Sequence, residues 1–272
     1  MRTAFFVALC FLQQSFLAGC SPSANAEANL GQNTKSFSEW VSELRTEASS
    51  KGISEQTLNS ALSDIKPINS VITLDRKQPE NKITLEEYIA KTVTPSRIKN
   101  GQYELSVNKE LLDSVSKKYS VPSNVIVALW GMETSYGENV GNFSIVPALA
   151  TLAYDGRRSE FFRGELINAL KIMDVEKLSS ADFQGSWAGA FGQCQFMPSS
   201  FLKYAVDSDG DGKRDIWYTQ ADIFASIANY LQSEGWNAGE GIEEDNNNYK
   251  VLLKWNRSRY FATAVGNLAG AF

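Results

Sequence analysis

Glu133 lies inside an otherwise oily segment of a chain that contains no histidine. The segment runs from Pro122 through Val125, Ile126, Val127, Ala128, Leu129, Trp130, Gly131 and Met132 to Glu133, then on to Thr134, Ser135, Tyr136 and Gly137. On a helix, Leu129 and Trp130 share the face of Glu133, four and three residues before it. Burying an ionised carboxylate is costly, so this setting raises its pKa towards the range where a general acid is still protonated at neutral pH. The lack of histidine excludes Ser-His-Asp and Cys-His relays and nearly all zinc sites. Acid–base work is then left to carboxylates, Lys or Tyr. A lone Glu at a helix end can equally turn back to solvent, so other residues must decide.

A second group of carboxylates follows at Asp207-Ser208-Asp209-Gly210-Asp211-Gly212-Lys213-Arg214-Asp215. Acids at positions 1, 3 and 5 with Gly at 6 match an EF-hand loop, where the glycine permits a sharp turn around a hard cation. Lys213, at position 7, would offer its backbone carbonyl, and Asp215 is a further candidate. The twelfth position is Tyr218 instead of the bidentate Glu. Two other readings stay open: a solvated turn, or a capping box from Thr219 to Asp222 at the start of a helix. A third stretch, Ser186-Trp187-Ala188-Gly189-Ala190-Phe191-Gly192-Gln193-Cys194-Gln195-Phe196-Met197-Pro198, mixes small residues with two Gln. Gly and Ala let a backbone approach a ligand closely, and Gln supplies both donor and acceptor. The same composition also suits a loop and helix packed tightly in the core.

The elements that must position these residues are helices. Phe37, Trp40, Val41 and Leu44 fit a 3.6-residue stripe, and Leu58, Leu62 and Ile65 mark a second helix. Helices are predicted over 84–94, 107–119, 122–136, 159–173, 197–205, 221–234 and 257–269. Residues 67–82 are expected to be extended or irregular, with Pro79 breaking any helix. Residues 243–248, Glu-Glu-Asp-Asn-Asn-Asn, read as a polar loop. No long alternating strand pattern and no internal repeat appear, so the fold class is mainly α with a small irregular or β element.

The first nineteen residues read as a leader: Arg2, an apolar run from Ala4 to Leu12, then Leu17-Ala18-Gly19 before Cys20. That ending resembles the bacterial lipobox, which implies lipidation of Cys20. The competing reading is an ordinary secretory signal with an incidental Cys. Ser21 at the next position favours the outer membrane, facing the periplasm. Residues 20–36 form a small, polar tether to a domain over 37–272. Cys194 is then the remaining thiol, so no internal disulfide is expected. Without the leader, 25 basic residues face 31 acidic ones, a net of −6, which argues against nucleic acid as a partner.

Taken together, Gly131-Met132-Glu133-Thr134-Ser135-Tyr136-Gly137, the Ser186–Ser200 stretch, the Asp207 loop, Ala228-Asn229-Tyr230-Leu231 and Trp255-Asn256-Arg257-Ser258 resemble the membrane-bound lytic murein transglycosylase B family (glycoside hydrolase family 103). Leu74-Asp75-Arg76-Lys77-Gln78-Pro79-Glu80 extends the resemblance to roughly 37–270. The resemblance implies a lysozyme-like catalytic core with an additional helical lobe. It implies cleavage of the β-1,4 bond after N-acetylmuramic acid in peptidoglycan strands, with formation of 1,6-anhydromuramyl ends. Glu133 matches the acid/base, Ser186 and Gln195 match sugar-positioning residues, and Tyr230, Asn256 and Tyr88 match groove residues. Asp222 resembles the family's displaced acidic ligand, giving a Ca²⁺ set of Asp207, Asp209, Asp211, Lys213 and Asp222. Asp155 stands where some relatives have Tyr, which puts a stacking role for Tyr154 in doubt. Trp187 and Phe191 are either groove or core residues. A monomer without an organic cofactor is expected. Two alternatives remain: a hydrolytic muramidase using a second carboxylate among Glu138, Asp155, Glu160 and Asp182, or a non-catalytic wall-binding lipoprotein.

Overall fold

The structure, a computed structural model, describes residues 35–77 and 83–272. The leader, Cys20 and most of the tether lie outside the described residues. Thirteen helices and one two-stranded sheet are present among those described. Helices α1 (Phe37–Ser50), α2 (Glu55–Leu62) and α3 (Asn69–Arg76) come first. They are followed by α4 (Leu85–Thr92), α5 (Pro95–Val107), α6 (Lys109–Tyr119) and α7 (Ser123–Thr134). Strand β1 (Phe143–Ser144), α8 (Ile145–Asp155), α9 (Ser159–Glu176) and β2 (Gln184–Gly185) form the middle of the chain. Helices α10 (Pro198–Tyr204), α11 (Gln220–Ser233), α12 (Asn247–Trp255) and α13 (Arg259–Gly270) complete it.

Helix α7 is the axis of the core. It is apolar on every face, with all seven residues from Val125 to Gly131 buried, as expected of a helix surrounded by others. Helices α5, α6, α11 and α13 pack around it. Each large apolar side chain buried there contributes about 1.5–3 kcal/mol. Helices α8 and α9 form an antiparallel pair, and α1, α2 and α3 pack on that pair as the additional lobe. The lobe is tied down by charge as well as by apolar contact. Buried Asp75 of α3 receives Arg157 at 3.0 Å and Arg158 at 2.8 Å, while Arg76 reaches Asp155 at 2.8 Å. The sheet pairs Phe143 with Gly185 and Ser144 with Gln184, and single bridges continue it through Phe191 and Phe196.

Residues 69–76 are helical where an irregular stretch was predicted. Pro67 lies just before that helix, and Val71 and Asp75 are both buried on one side of it. Helix α5 was missed because its apolar stripe is thin. Thr94 caps it and Pro95 takes its first position, where a missing N–H costs nothing. Helix α8 was hidden in a continuous apolar run that lacks a helical period. Helix α12 begins inside the expected polar loop, because the Asn246 side chain accepts a hydrogen bond from the Tyr249 N–H and caps it.

Candidate active site

Glu133 occupies the last turn of α7. The helix stops there by a local device that accounts for the motif around it. Ser135, Tyr136 and Gly137 are all left-handed, with φ of 53°, 64° and 88°. This turns the chain back so that the Tyr136 ring covers Gly131, where a Cβ would lie only 2.5 Å from it. The Tyr136 hydroxyl donates to the Arg97 carbonyl at 2.7 Å. Thr134 Oγ1 accepts the Gly137 N–H at 3.0 Å and lies 3.2 Å from the Gln193 carbonyl. The turn thereby holds the acid at a fixed helix end.

Gln193 links this helix to the 185–196 loop. Its Oε1 accepts the Trp130 indole N–H at 2.7 Å, and its Nε2 donates to the Trp217 carbonyl at 2.7 Å. The same amide fills the space that a Cβ on Gly137 would need. Both ends of Gln193 are thus spent inside the protein. Gln195 differs: it is left-handed, at φ 47°, and donates from Nε2 to the carbonyls of Val140 and Gly192 at 3.1 and 3.0 Å. Its Oε1 is left as an acceptor. Buried Ser186 accepts the Ala190 N–H at 3.0 Å through Oγ, which leaves its hydroxyl proton for another acceptor.

The carboxyl of Glu133 receives one direct hydrogen bond, from the Trp255 indole to Oε1 at 2.7 Å. Burial pushes the Glu133 pKa up to about 7, and the indole bond works against that rise. Tyr88 of α4 faces the same carboxyl. Burial first, and then the charge of Glu133, push its hydroxyl up to about 12. Cys194 is also close: burial pushes its thiol well above the ordinary range, with Glu133 and Asp222 adding to the effect. Its neighbour Gln195 is thus on a loop that approaches the acid. Tyr230 is sandwiched between Tyr204 and Trp255 at 4.4 and 4.6 Å, and Asn256 follows Trp255 directly.

Tyr88 thus lies near Glu133 and Tyr230 packs on its indole partner, with Asn256 next to that indole in the chain and Ser186 and Gln195 on the 185–196 loop. Phe191 belongs to the core: it is fully buried and stacks on Trp217 at 5.4 Å. Tyr154 packs α1 onto α8, its ring against Phe37 and Trp40 and its hydroxyl on the Lys35 carbonyl. Trp255 was not singled out from the sequence as a partner of the acid. The pair is 122 residues apart, and only the packing of α12 brings them together.

No carboxylate among the described residues matches the second acid of a hydrolase. Asp155 is held by Arg76, Asp182 by Ser179, and Glu138 and Glu160 are exposed. Glu165 is buried and its pKa is raised by that burial, but both its oxygens are taken by the Ser199 N–H and hydroxyl at 2.8 and 2.6 Å.

The Asp207 loop is a separate site. Carboxylate oxygens of Asp207, Asp209 and Asp211 come within 4.8 Å of one another on the surface. Asp222 lies beneath them, 1% exposed, and accepts the N–H groups of Ser208 and Asp215 at 2.7 Å each. Thr219 makes no side-chain cap, so Asp222 does not serve a capping box. Tyr218, in the twelfth position, points away at 83% exposure. Hard oxygens crowded in this way fit a calcium ion, with three carboxylates in front and Asp222 holding the loop's two arms.

Comparison with known proteins settles the family. The transglycosylase SLT domain matches residues 36–245. The chain belongs to that family. It is 35% identical over 201 residues to "Membrane-bound lytic murein transglycosylase B" of Escherichia coli K12, covering 70% of this chain. It spans 55% of the length of that relative. SltB3 from Pseudomonas aeruginosa, solved in complex with NAG-NAM-pentapeptide, superposes with a TM-score of 0.83 at 34% identity, over 88% of this chain and 80% of its own. An E. coli lytic transglycosylase solved in complex with calcium gives a TM-score of 0.77 at 28% identity, over 85% and 91%. The lysozyme-like, mainly helical fold is thereby shown. No helix among the described residues is long and apolar enough to cross a membrane.

Proposed function

We propose that this chain is a lytic transglycosylase that cleaves the β-1,4 bond between N-acetylmuramic acid and N-acetylglucosamine in peptidoglycan strands. The observation that carries the reading is a single desolvated acid, Glu133, with a pKa of about 7 that burial and the Trp255 hydrogen bond set, with no second carboxylate acting on it. A hydrolase flanks its bond with two carboxylates. A transglycosylase manages with one, because the sugar supplies the nucleophile. Relatives in this family support the substrate class: SltB3 has also been solved with NAG-anhNAM-pentapeptide.

Protonated Glu133 donates its proton to the oxygen leaving the muramyl anomeric carbon. Because Oε1 already accepts the Trp255 N–H, the proton resides on Oε2. The muramyl acetamido oxygen stabilises the cationic anomeric carbon, held there by Ser186 and Gln195. Glu133, now a base, takes the proton of the muramyl 6-hydroxyl, whose oxygen bonds to the anomeric carbon. The 1,6-anhydro ring closes, the acid is restored and no water is consumed. Tyr88, Tyr230 and Asn256 line the groove. Ca²⁺ in the Asp207, Asp209, Asp211, Lys213 and Asp222 loop stabilises the fold, and lipid on Cys20 holds the enzyme on the outer membrane, facing the wall. Cys20→Ala should release the protein from the membrane fraction, or leave it unprocessed, with activity intact.

Weighing the products released from purified sacculi tests the reading. Anhydromuramyl ends, one water lighter than hydrolytic ends, are expected. Reducing ends would make the enzyme a muramidase, and an absence of products would leave a wall-binding protein.

A further inference from the structure

Arg97 sits in the first turn of α5, where its backbone N–H donates to the Thr94 hydroxyl at 3.2 Å. Its half-buried side chain leaves that turn for the end of α7, where it meets the neighbours of the acid. The Met132 sulfur, one residue before Glu133, lies 4.0 Å from Nη1. Nη2 donates to Ser135 Oγ, two residues after Glu133, at 3.1 Å. The Arg97 carbonyl accepts the hydroxyl of Tyr136, the next residue, at 2.7 Å. One residue of α5 thus touches the chain on both sides of the acid.

The same guanidinium reaches a second helix end. Nη1 donates to the carbonyl of Thr92, the last residue of α4, and Thr92 Oγ1 donates to the Tyr88 carbonyl at 2.8 Å. Helices α4 and α7 therefore both finish against Arg97, a position where a cation meets the negative ends of their dipoles. A guanidinium suits this place, being planar, permanently charged and able to donate in several directions at once. The packing around it leaves no slack. Tyr136 lies between Gly131 of α7 and Gly101 of α5, where added Cβ atoms would come within 2.5 and 2.7 Å of it. A larger residue at either position would push the hydroxyl off the Arg97 carbonyl. The charge of Arg97 opposes the rise that burial imposes on the Tyr88 and Tyr136 hydroxyls. The Glu133 pKa, in contrast, follows burial and the Trp255 hydrogen bond. Arg97 therefore reaches the acid through contacts and not by tuning its proton.

Resting on the reading proposed above, we infer that Arg97 is a positioning residue for the reaction: it clamps the left-handed turn after α7 and so fixes where Glu133 gives and takes its proton. The proposed reaction asks the same carboxyl to meet two oxygens in turn, the leaving oxygen and then the muramyl 6-hydroxyl. A carboxyl on a loosened helix end would meet each of them out of line, with little change in how the strand is bound. Misplacing a reacting group by about 1 Å costs about 10²-fold, so the clamp acts on kcat. Its grip on the end of α4 keeps Tyr88 in register with the acid at the same time.

The test compares full-length wild type with Arg97→Met, Arg97→Lys, Ser135→Ala and the Arg97→Met/Ser135→Ala double variant, each shown by its melting curve to be folded at the assay temperature. Two readouts are taken: kcat and KM on soluble peptidoglycan strands across pH, and deuterium exchange of the amides at 134–137. Arg97→Met should lower kcat about 10²-fold with KM unchanged and the alkaline limb of the profile in place. Arg97→Lys, which keeps the charge but not the fork, should recover part of the loss. Ser135→Ala should cost about tenfold, as for a hydrogen bond to a charged group, and should add nothing once Arg97 is gone. Exchange at 134–137 should quicken about tenfold in Arg97→Met while the rest of α7 stays slow. If Arg97→Met does not fold, Arg97→Lys and Ser135→Ala with their own double variant carry the same cycle. An unchanged kcat, a rise confined to KM, a displaced alkaline limb, additive losses or unchanged exchange would each overturn the inference. Products of the wild type are scored separately. If anhydro ends form and the Arg97 variants turn over normally, the clamp fails and the enzymatic reading stands. If wild type cuts no strand while exchange at the turn quickens in the variants, the enzymatic reading fails alone.

Discussion

Glu133 and the Asp207 loop use the same functional group in opposite ways. At the end of α7 a single carboxyl is isolated in apolar surroundings, and burial makes its proton hard to lose. In the loop, three carboxylates crowd together on the surface, an arrangement that favours a cation. The first site excludes charge and the second concentrates it. What separates them is the company each carboxyl keeps: the buried end of α7 and the Trp255 indole for one, Gly210, Gly212 and backbone N–H groups for the other.

The contrast is broken most severely by Glu133→Gln. This change keeps the shape but removes both the proton donor and the later base. General acid–base catalysis contributes about 10²–10⁴-fold, and the proposed reaction asks one residue to serve both half-reactions. A loss of about 10⁴ in kcat on sacculi is expected, with strand binding retained; an active variant would sink the mechanism. Wild-type kcat/KM should fall above pH 7, as the free enzyme loses the proton on Glu133.

The same substitution should stabilise the protein, with a definite pH dependence. The folded pKa of about 7 lies above the ordinary 4.5, so burial of the ionised form costs stability as pH rises through that window. Below pH 4.5 folded and unfolded chains are both protonated, and Gln and Glu should be nearly equivalent. At pH 8 the variant should be more stable by up to about 3 kcal/mol, at 1.36 kcal/mol per pKa unit. Melting curves at pH 4 and pH 8 read this directly. An equal shift at both would show that the carboxyl is not desolvated.

The loop should respond to its ion and leave the acid alone. Calcium at a hundredfold excess over Kd should add roughly 2.7 kcal/mol to stability. Asp209→Ala with Asp211→Ala should abolish that gain while leaving the pH profile of catalysis in place. A double variant whose Tm still rises with calcium would put the ion elsewhere. The smallest effect is expected from Trp255→Phe, which keeps the ring and deletes the N–H. Without the hydrogen bond that stabilises its ionised form, Glu133 should hold its proton to higher pH. The alkaline limb of the kcat/KM profile should move upward and kcat should fall about tenfold. An unmoved limb would reduce Trp255 to packing.

Much of this arrangement was legible along the chain because it is local. Glu133 showed itself through neighbours three and four residues away, and the three loop acids through a spacing fixed by the turn. The stripe beginning at Phe37 located α1, and helices predicted over 159–173 and 257–269 lie close to the limits of α9 and α13. What could not be read was set by distant partners. Helix α3 owes its burial to Arg157 and Arg158, which hold Asp75 from a corner more than eighty residues away. Trp255 meets Glu133 only once α12 has packed, and its helix begins in a stretch of Asn whose composition resembles a loop. Gln193 and Gln195 look alike in the sequence. Their roles diverge because one faces Trp130 and the other carries a left-handed backbone beside Val140.

The amide of Gln193, fastened at one end to Trp130 and at the other to the Trp217 carbonyl, has a kinetic consequence. The loop carrying Ser186 and Gln195 cannot open without releasing the helix that carries Glu133. Its amide protons should therefore exchange with deuterium at the slow rate of the α7 core, far behind the polar turn at 243–246, and by whole-domain unfolding instead of local breathing. Under the proposed function, the loop assigned to the sugar is already in place when the glycan arrives. Substrate capture would then follow simple one-step association, without a saturating isomerisation step as strand concentration rises.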